Sequence, residues 1–465
     1  MNVRMSFIAA AAALMIAGQA QAFGPTDAPD VVIFVSGGPE QADAFLAFTE
    51  KALFSASYDV YTDQPCGTAG FNFRAVFGRG VPSLPASLAN KKILVEYSSF
   101  SGTFKSGIDA VVRANPIAFQ TFIGNSTACP SGSQTQYTVI NPQIQEFHVP
   151  VVGLAPVEIA MFTGVNLPPV AGFSAITAAE LANIQQIQTY ETVYGLAINS
   201  VLAAQKTNFT KAEVTAIFSG SYTNWGQLTG DNGLPVKAGP ITIIDRNAGS
   251  GPKIAFNEYF LASPGAASMG GALSPVATSG GFGNCGPPAP VGSRSYDATV
   301  YSVCPQSRSD NVRDGLNNAN ASGVRAIGVL SMSDSPPLFS DHYQFAALNG
   351  VSVSLTTMTT CGNVLEKWFE PANVVSGAYD LFFANSLQFR IKAVKGAPFM
   401  GDGTAQSAFI VAMFNASLDP RTQVSLPGAL LDPFDVGGFA GENYDRCITK
   451  GTRNGNSTQP LQLWF

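Results

Sequence analysis

The polar stretch that most favours ligand binding runs from Asp245 to Gly251 and reads Asp-Arg-Asn-Ala-Gly-Ser-Gly. It follows an apolar run typical of a buried strand and precedes a segment of helical period. Glycines allow the backbone amides to turn inward, and the first turn of a helix carries partial positive charge. Arg246 adds a forked hydrogen-bond donor for an oxyanion. Alone, the stretch is also compatible with a plain loop, because an arginine at a strand end is commonly a solvated surface charge.

Two further turns of similar composition follow predicted strands. The first is Ser36 to Gly38, and the second is the hydroxyl-rich stretch 98–107. Open α/β sheets bind ligands at the carboxyl ends of their parallel strands, where such turns meet. Three turns rich in Gly and Ser therefore predict convergence on one ligand.

Catalytic chemistry finds little support in the residues. A serine hydrolase needs a Gly-x-Ser-x-Gly elbow and a histidine, but the chain has no such elbow and only His148 and His342. Metal-dependent phosphatase chemistry needs clusters of Asp and His, and phosphate transfer from a nucleotide needs a Walker A loop. Neither pattern occurs, and no spaced pair of carboxylates suggests glycoside hydrolysis. We therefore expect a binding protein that is not an enzyme, with no cofactor and no metal.

The composition is typical of an acidic, loop-rich exported chain. Its 465 residues include 25 Lys and Arg against 31 Asp and Glu, a formal net charge of −6, which excludes an electrostatic nucleic-acid surface. Charged residues are 12% of the chain, against about 25% in typical soluble domains, and there are 46 Gly and 30 Pro. The length exceeds that of one domain of about 150 residues, so we expect two lobes.

Residues 1–22 have the features of a secretory signal peptide. Arg4 supplies the positive charge, residues 7–18 form the apolar run, and Ala20 and Ala22 are the small residues of a cleavage site. The apolar run is shorter than the roughly 20 residues that a membrane span needs. We expect a mature chain from Phe23 that is periplasmic or secreted and does not span the membrane.

Six cysteines remain after the predicted cleavage, and none forms a Cys-x-x-Cys pair. An even number in an exported chain predicts disulfides. Several connectivities are compatible with the sequence, and pairing of nearest neighbours is preferred: Cys66–Cys129, Cys285–Cys304 and Cys361–Cys447.

Apolar runs of strand length alternate with segments of helical period, which predicts an α/β fold with mainly parallel sheets. The run 31–35 precedes a helix over 41–53, and the run 241–245 precedes a helix that ends at Leu261. Capping boxes at Thr177 and Thr210 predict two more helix starts.

The chain resembles a known family in and around the Asp245 to Gly251 stretch. In the phosphate-binding protein of bacterial phosphate ABC importers, a helix and a turn ending in Trp precede an Arg-x-x-Gly-Ser-Gly phosphate loop. Matching segments here are 209–218, 219–225, 241–244 and 246–251, with further matches at 194–199, 326–330 and 376–379. The sequence is identified as a divergent relative within the type II periplasmic binding-protein superfamily.

That resemblance implies two α/β lobes, joined by crossing hinge strands, that close on a ligand. Lobe I would comprise residues 23–195 and 331–465, and lobe II would comprise 196–330. Lobe II would contain the loop 262–309, which is rich in Gly, Ser and Pro and predicts a long surface connection.

The family's ligand residues are carried over position by position. Arg246, Gly249, Ser250 and Gly251 fall on the phosphate loop; Ser101, Thr103 and Ser106 fall in the second turn; Ser36 and Gly38 fall near the first. Two positions depart from the pattern, because Pro252 replaces a Thr and Pro156 replaces the Asp that accepts a hydrogen bond from protonated phosphate. Glu158 could substitute as the acceptor. Without one, discrimination against sulfate-like anions is lost.

The resemblance therefore predicts an exported, monomeric solute-binding protein that captures phosphate or a similar oxyanion between two lobes. Its partner would be an ABC permease. The alternative is a secreted relative that has no importer and serves surface adhesion or scavenging, which the two proline replacements and the long insertions motivate.

Overall fold

The computed structural model describes most of the chain beyond the predicted signal segment. The described residues are 23–54, 58–66, 72–129, 136–168, 172–265, 273, 275, 290, 292, 293, 296, 299–332, 341–352, 359–361, 364–366, 371–426, 429–431, 448, 449, 451–453 and 456–463. Residues 1–22 and much of the predicted loop 262–309 lie outside them.

The strands are short, apart from one of 16 residues. They are β1 Val31–Gly37, β2 Tyr58–Thr62, β3 Phe73–Arg79, β4 Lys92–Ser98, β5 Ile117–Gln120, β6 Ser126–Ala128, β7 Gln136–Val139, β8 Gln145–His148, β9 Val152–Ala155, β10 Ile184–Asn199, β11 Asn208–Phe209, β12 Thr242–Arg246, β13 Ser302–Gln306, β14 Ala326–Ser331, β15 Tyr343–Phe345, β16 Ala347–Leu348, β17 Thr359–Cys361, β18 Val364–Glu366, β19 Phe382–Arg390, β20 Ala429–Leu430, β21 Gly451–Thr452 and β22 Gln462–Leu463.

The helices lie between these strands. They are α1 Ala42–Leu53, α2 Ala110–Val112, α3 Ala178–Leu181, α4 Ser200–Ala203, α5 Lys211–Phe218, α6 Gly251–Leu261, α7 Ser309–Ala321, α8 Pro371–Val375, α9 Ala405–Ser417 and α10 Pro420–Gln423. A π-helical turn, Thr103–Asp109, precedes α2. None of the helices in the described ranges combines the length and the apolar character needed to cross a bilayer.

The main sheet is mixed, and its parallel pairs surround the predicted ligand turns. Its strand order is β13-β12-β14-β10-β19-β9-β1-β4-β3-β2-β7-β6. Strand β1 pairs in parallel with β4 and β9, and β12 pairs in parallel with β13 and β14. The predicted α/β class is confirmed.

The long strand β10 connects the two halves of the sheet. Its first part pairs antiparallel with β19, and its last part pairs antiparallel with β14. An apolar run typical of a strand begins only at Thr192, but the strand begins at Ile184. The residues in between are rich in glutamine, so they lack the apolar run that indicates a strand, and pairing with β19 holds them extended.

Two large apolar clusters stabilise the halves. One gathers β10, β12, β14, α5 and α6, and the other gathers β1, β4, α1 and α9. Every residue of β12 and of β14 is buried, as expected for strands covered by helices on both faces. Burial of this kind fixes where each strand ends, and therefore where the residues after it are presented.

Local predictions agree well with the structure. Both capping boxes are present, with the Thr177 and Thr210 hydroxyls accepting from the backbone amides of Glu180 and Glu213. The disulfide Cys66–Cys129 is confirmed. Cys304 is also disulfide-bonded. Cys285 and Cys447 lie outside the described residues, so the other two pairings stay predictions.

Candidate anion-binding site

A cavity of about 630 Å³ lies between the segment that follows β4 and the loop that joins β12 to α6. We call it the cleft cavity. Its lining comprises Pro39, Asn72, residues 99–105, Pro168, Phe173, residues 246–250, Ser307 and Arg308. Five of the predicted ligand residues are among them: Ser101, Thr103, Arg246, Gly249 and Ser250.

Arg246 is the last residue of β12 and is 2% exposed. Its Nη1 donates to Ser309 Oγ at 2.7 Å, and its Nε is buried without a hydrogen-bond partner among the described residues. The adjacent carboxylate of Asp245 forms an ion pair with Lys253 on α6. Because Lys253 neutralises Asp245, the positive charge of Arg246 remains available to a ligand.

Ser250 occupies the N-cap position of α6 but makes no capping hydrogen bond through its side chain. Its Oγ is buried, and no described residue bonds to it. Gly249 before it has φ +84°, and a Cβ there would lie 2.7 Å from Cγ of Pro168. The loop therefore requires glycine at this position, and it presents an unused hydroxyl at a helix N-terminus of partial positive charge.

The opposite wall of the cleft cavity is the second hydroxyl-rich turn. Gly102 has φ +79° and leads into the π-helical turn that contains Thr103. The backbone N of Phe104 donates to the carbonyl of Gly249 at 3.3 Å, and Arg308 Nη1 donates to Asn72 Oδ1 at 3.0 Å. The two walls are thus in direct contact at two places.

The lining of the cleft cavity is electropositive. Arg246, Arg308 and Lys105 contribute to it, and none of the described lining residues is Asp or Glu. Arg308 also forms an ion pair with Asp310 at 3.1 Å. Within the described residues no group of three His, Cys, Asp or Glu could hold a metal ion. The arrangement fits an anion better than a cation.

Three of the predicted ligand residues lie beneath the cavity lining. Ser36 is fully buried, and its Oγ donates to the carbonyl of Ser106 at 2.6 Å. Ser106 Oγ in turn accepts from the backbone N of Ser101 at 3.2 Å. Gly38 lies against the side chain of Thr103. These contacts hold the second turn in place.

The start of α6 is covered by Pro156 and Glu40. A Cβ on Gly251 would lie 1.7 Å from Cγ of Pro156 and 2.9 Å from Oε1 of Glu40. That same Glu40 oxygen accepts from Thr103 Oγ1 at 3.1 Å, and the second oxygen is buried without a hydrogen-bond partner in the described chain. We call this meeting point of Gly38, Glu40, Thr103 and Gly251 the inner end of the cleft.

Glu158 is placed elsewhere. Its carboxylate accepts from the backbone N of Ser457, and burial raises its pKa above the usual value. It is absent from the described lining of the cleft cavity.

The sequence analysis missed Arg308, Lys105 and Glu40. Arg308 follows β13 and precedes α7, so it occupies a strand-to-helix turn like that of Arg246. This strand-to-helix pattern can be read from the sequence, but the prediction of a loop over 262–309 included Arg308 and assigned it no role. Glu40 directly follows the first turn and could have been considered with it.

With the geometry described, comparison with known proteins indicates the class. Residues 170–383 match the family model of a PBP superfamily domain. The match contains the β12–α6 loop, so the predicted resemblance to periplasmic binding proteins is confirmed there. Over these residues the chain is thus similar to a PBP superfamily domain.

Particular relatives are distant. No curated protein sequence matches the chain. A phosphate-binding protein from Stenotrophomonas maltophilia is 15% identical, with a TM-score of 0.35 and coverage of 83% of this chain and 89% of that one. PstS from Borrelia burgdorferi is 9% identical, with a TM-score of 0.36 and coverage of 85% and 95%. An ABC-type phosphate transport receptor from Vibrio cholerae is 14% identical, with a TM-score of 0.31 and coverage of 55% and 76%.

Proposed function

We propose that the chain is an exported solute-binding protein that captures an oxyanion, phosphate or a similar one, in the cleft cavity. One observation carries the proposal. Arg246 Nε and Ser250 Oγ are buried donors without partners among the described residues, and they lie on residues that line an electropositive cavity. Leaving a buried donor unsatisfied costs roughly 1–3 kcal/mol, so a ligand that accepts from both is stabilised.

Each wall has a separate role in the proposed binding. The oxyanion accepts from Arg246, Ser250 and the backbone around Gly249. The hydroxyl of Ser101 contributes from the facing wall when the lobes close, as in a hinged clamp, whereas Thr103 already donates to Glu40 and positions that turn. Ser36, Gly38, Ser106 and Gly251 act as positioning residues beneath these contacts.

The location and partners of the protein are part of the same proposal. After removal of residues 1–22 the monomer acts in the periplasm or outside the cell and delivers its anion to an ABC permease. Similarity to a PBP superfamily domain supports a solute-binding role of this kind.

The alternative of a relative that works without an importer is favoured by the contact of Pro156 on Gly251, which covers the helix start. Deleting the gene and measuring anion uptake separates the two roles. Loss of uptake supports delivery to an importer, whereas unchanged uptake by cells whose purified chain binds the anion supports the alternative.

Removing Arg246 tests the proposed site. We expect Arg246→Ala to weaken oxyanion binding by roughly 100-fold, because it removes charge-assisted hydrogen bonds in a buried site. The measurement is isothermal titration of phosphate and sulfate into residues 23–465 after bound ligand has been removed in urea with the disulfides intact.

Arg79→Ala is the matched control, since Arg79 is an exposed arginine that bonds a single carbonyl of its own hairpin. Circular dichroism reports whether each variant remains folded. Affinity unchanged in a folded Arg246→Ala protein would contradict the proposed site.

A further inference from the structure

We infer that the oxyanion is attached to an organic group, so that the ligand of the cleft cavity is a phosphate monoester or a comparable organic phosphonate rather than inorganic phosphate. The inference rests on the proposed function and narrows its ligand. Four features of the cavity lead to it: its volume, its blocked inner end, its aromatic wall and its additional cation.

The volume of the cleft cavity exceeds what a tetrahedral ion fills. A phosphate ion takes the place of two or three water molecules of about 30 Å³ each, hence on the order of 100 Å³. The cavity measures about 630 Å³ although its walls already touch, through Phe104 with Gly249 and Arg308 with Asn72. In this conformation the cavity therefore has room for a ligand several times larger than a bare ion. Pockets of several hundred Å³ are typical for small organic ligands.

The inner end of the cleft leaves no place for a free anion. There the Glu40 carboxylate lies against Thr103 and the start of α6, and the ring of Pro156 packs on Gly251. A carboxylate repels an incoming anion, and the proline ring fills space next to the helix amides. The oxyanion is therefore held further out, by Arg246 and Ser250, in the part of the cleft that continues into the larger cavity.

An aromatic wall lies in the same cavity. Phe100 is 53% exposed and stacks on Phe73 with ring centroids 5.4 Å apart. Phe104 and Phe173 also line the cavity and contact each other edge to face. Phe104 is already buried, but Phe100 and Phe173 keep exposed ring surface. An inorganic ion gains nothing from that surface, whereas an organic group covers it and is stabilised by the hydrophobic effect.

In the described lining, one unpaired cation remains for the organic part. Lys105 has no ion-pair partner among the described residues, whereas Arg308 reaches the cavity from the turn before α7 already paired with Asp310. Lys105 favours an organic group that carries hydroxyl or acidic substituents.

Titration with esters tests the inference. Into residues 23–465, freed of bound ligand, we would titrate inorganic phosphate, methyl phosphate, phenyl phosphate and phenyl sulfate. We expect phenyl phosphate to bind at least about tenfold more tightly than inorganic phosphate, because the ring buries apolar surface against Phe100. Phenyl sulfate tests whether the phosphoryl charge or only the tetrahedral shape is required.

Two variants locate the organic group. Phe100→Ala should weaken the binding of phenyl phosphate by about fivefold and leave the affinity for inorganic phosphate unchanged. Ala248→Phe, which enlarges a side chain of the cavity lining, should weaken the binding of the ester more than the binding of the ion. Phe147→Ala is the control, because Phe147 is 70% exposed on β8 and does not line the cleft cavity.

The outcomes separate this inference from the proposed function. If inorganic phosphate binds more tightly than every ester and this binding is lost in Arg246→Ala, the inference is overturned and the proposed function stands. Absence of binding for all four compounds would overturn both. Ester binding that Phe100→Ala and Ala248→Phe leave unchanged would also contradict the inference.

Discussion

On the β12–α6 wall of the cleft cavity, the side chains of Arg246 and Ser250 keep buried donors that no residue in the described part of the chain bonds. On the facing wall, the hydroxyls of Ser36 and Thr103 donate within the protein, to Ser106 and Glu40. The two walls have similar compositions, rich in Gly and Ser, but among the described residues the β12–α6 wall keeps unused donors, whereas the unused group on the facing side is an acceptor, the second carboxylate oxygen of Glu40. Composition alone therefore predicts where a ligand turn lies, and the hydrogen-bond partners decide which side chains bind the ligand.

The same contrast appears in how the two walls are stabilised. The β12–α6 loop is fixed by backbone geometry, with φ +84° at Gly249 and packing on Pro168. The facing turn is fixed by side-chain hydrogen bonds from Ser36 and Ser106. Substitutions of Arg246 or Ser250 should therefore affect binding, whereas substitutions of the positioning residues on either wall should affect stability, and the predictions below test that division.

The largest effect is expected where Pro156, which follows β9, packs on the start of α6. In Gly251→Ala the new Cβ would lie 1.7 Å from Cγ of Pro156, so the helix start must move away from β9. We expect the free energy of unfolding to fall by about 3 kcal/mol, as in strongly overpacked cores, and anion affinity to fall with it. Urea unfolding and titration of phosphate measure the two effects.

Replacing Pro156 by a smaller residue should reverse this loss of stability. Pro156→Gly combined with Gly251→Ala removes the atoms that clash, so most of the stability should return. Gly24→Ala is the control, because a Cβ at Gly24 meets nothing within 4 Å. Failure of the double variant to recover stability would show that the contact is not the cause.

A smaller effect distinguishes the two walls directly. Ser250→Ala should lower ligand affinity by about tenfold and leave the free energy of unfolding unchanged, because its side chain makes no capping hydrogen bond. Ser36→Ala should do the opposite: it loses the 2.6 Å hydrogen bond to Ser106 and about 1 kcal/mol of stability, with affinity preserved. Equal losses of affinity in both variants would refute the division between the walls.

The features predicted correctly from the sequence depend on residues close together in the chain. The capping box at Thr210 and the strand, glycine turn and helix around Arg246 are local patterns, and both are present. Glycine with φ above zero leaves a local signature as well, as at Gly249.

The features that were missed depend on contacts between distant segments. Arg308 reaches the cleft cavity because β13 pairs with β12, a pairing across some 60 residues that no local pattern indicates. The extended conformation of β10 before Thr192 likewise depends on β19. Glu40 lies near Gly251 only because the two walls meet. Such positions follow from the tertiary structure rather than from local preference.

The smallest expected effect concerns that carboxylate. Glu40→Gln keeps an oxygen to accept from Thr103 and removes one negative charge from the inner end of the cleft. If the carboxylate repels the bound oxyanion, the affinity for phosphate should rise by a few-fold, and more at low ionic strength because salt screens the repulsion. Titration at two salt concentrations measures both changes.

Asp43→Asn is the matched control for Glu40→Gln, since it removes the same charge from the exposed start of α1, where Asp43 pairs with Arg74. If affinity rises in Glu40→Gln alone, the repulsion comes from the inner end of the cleft. If affinity rises equally in both variants, the repulsion comes from the net charge of the protein. A loss of affinity in Glu40→Gln would reverse the interpretation: the carboxylate would then accept a hydrogen bond from a protonated ligand. In that case an acceptor would remain in the cleft despite Pro156, and inorganic hydrogen phosphate would regain its advantage over sulfate-like anions.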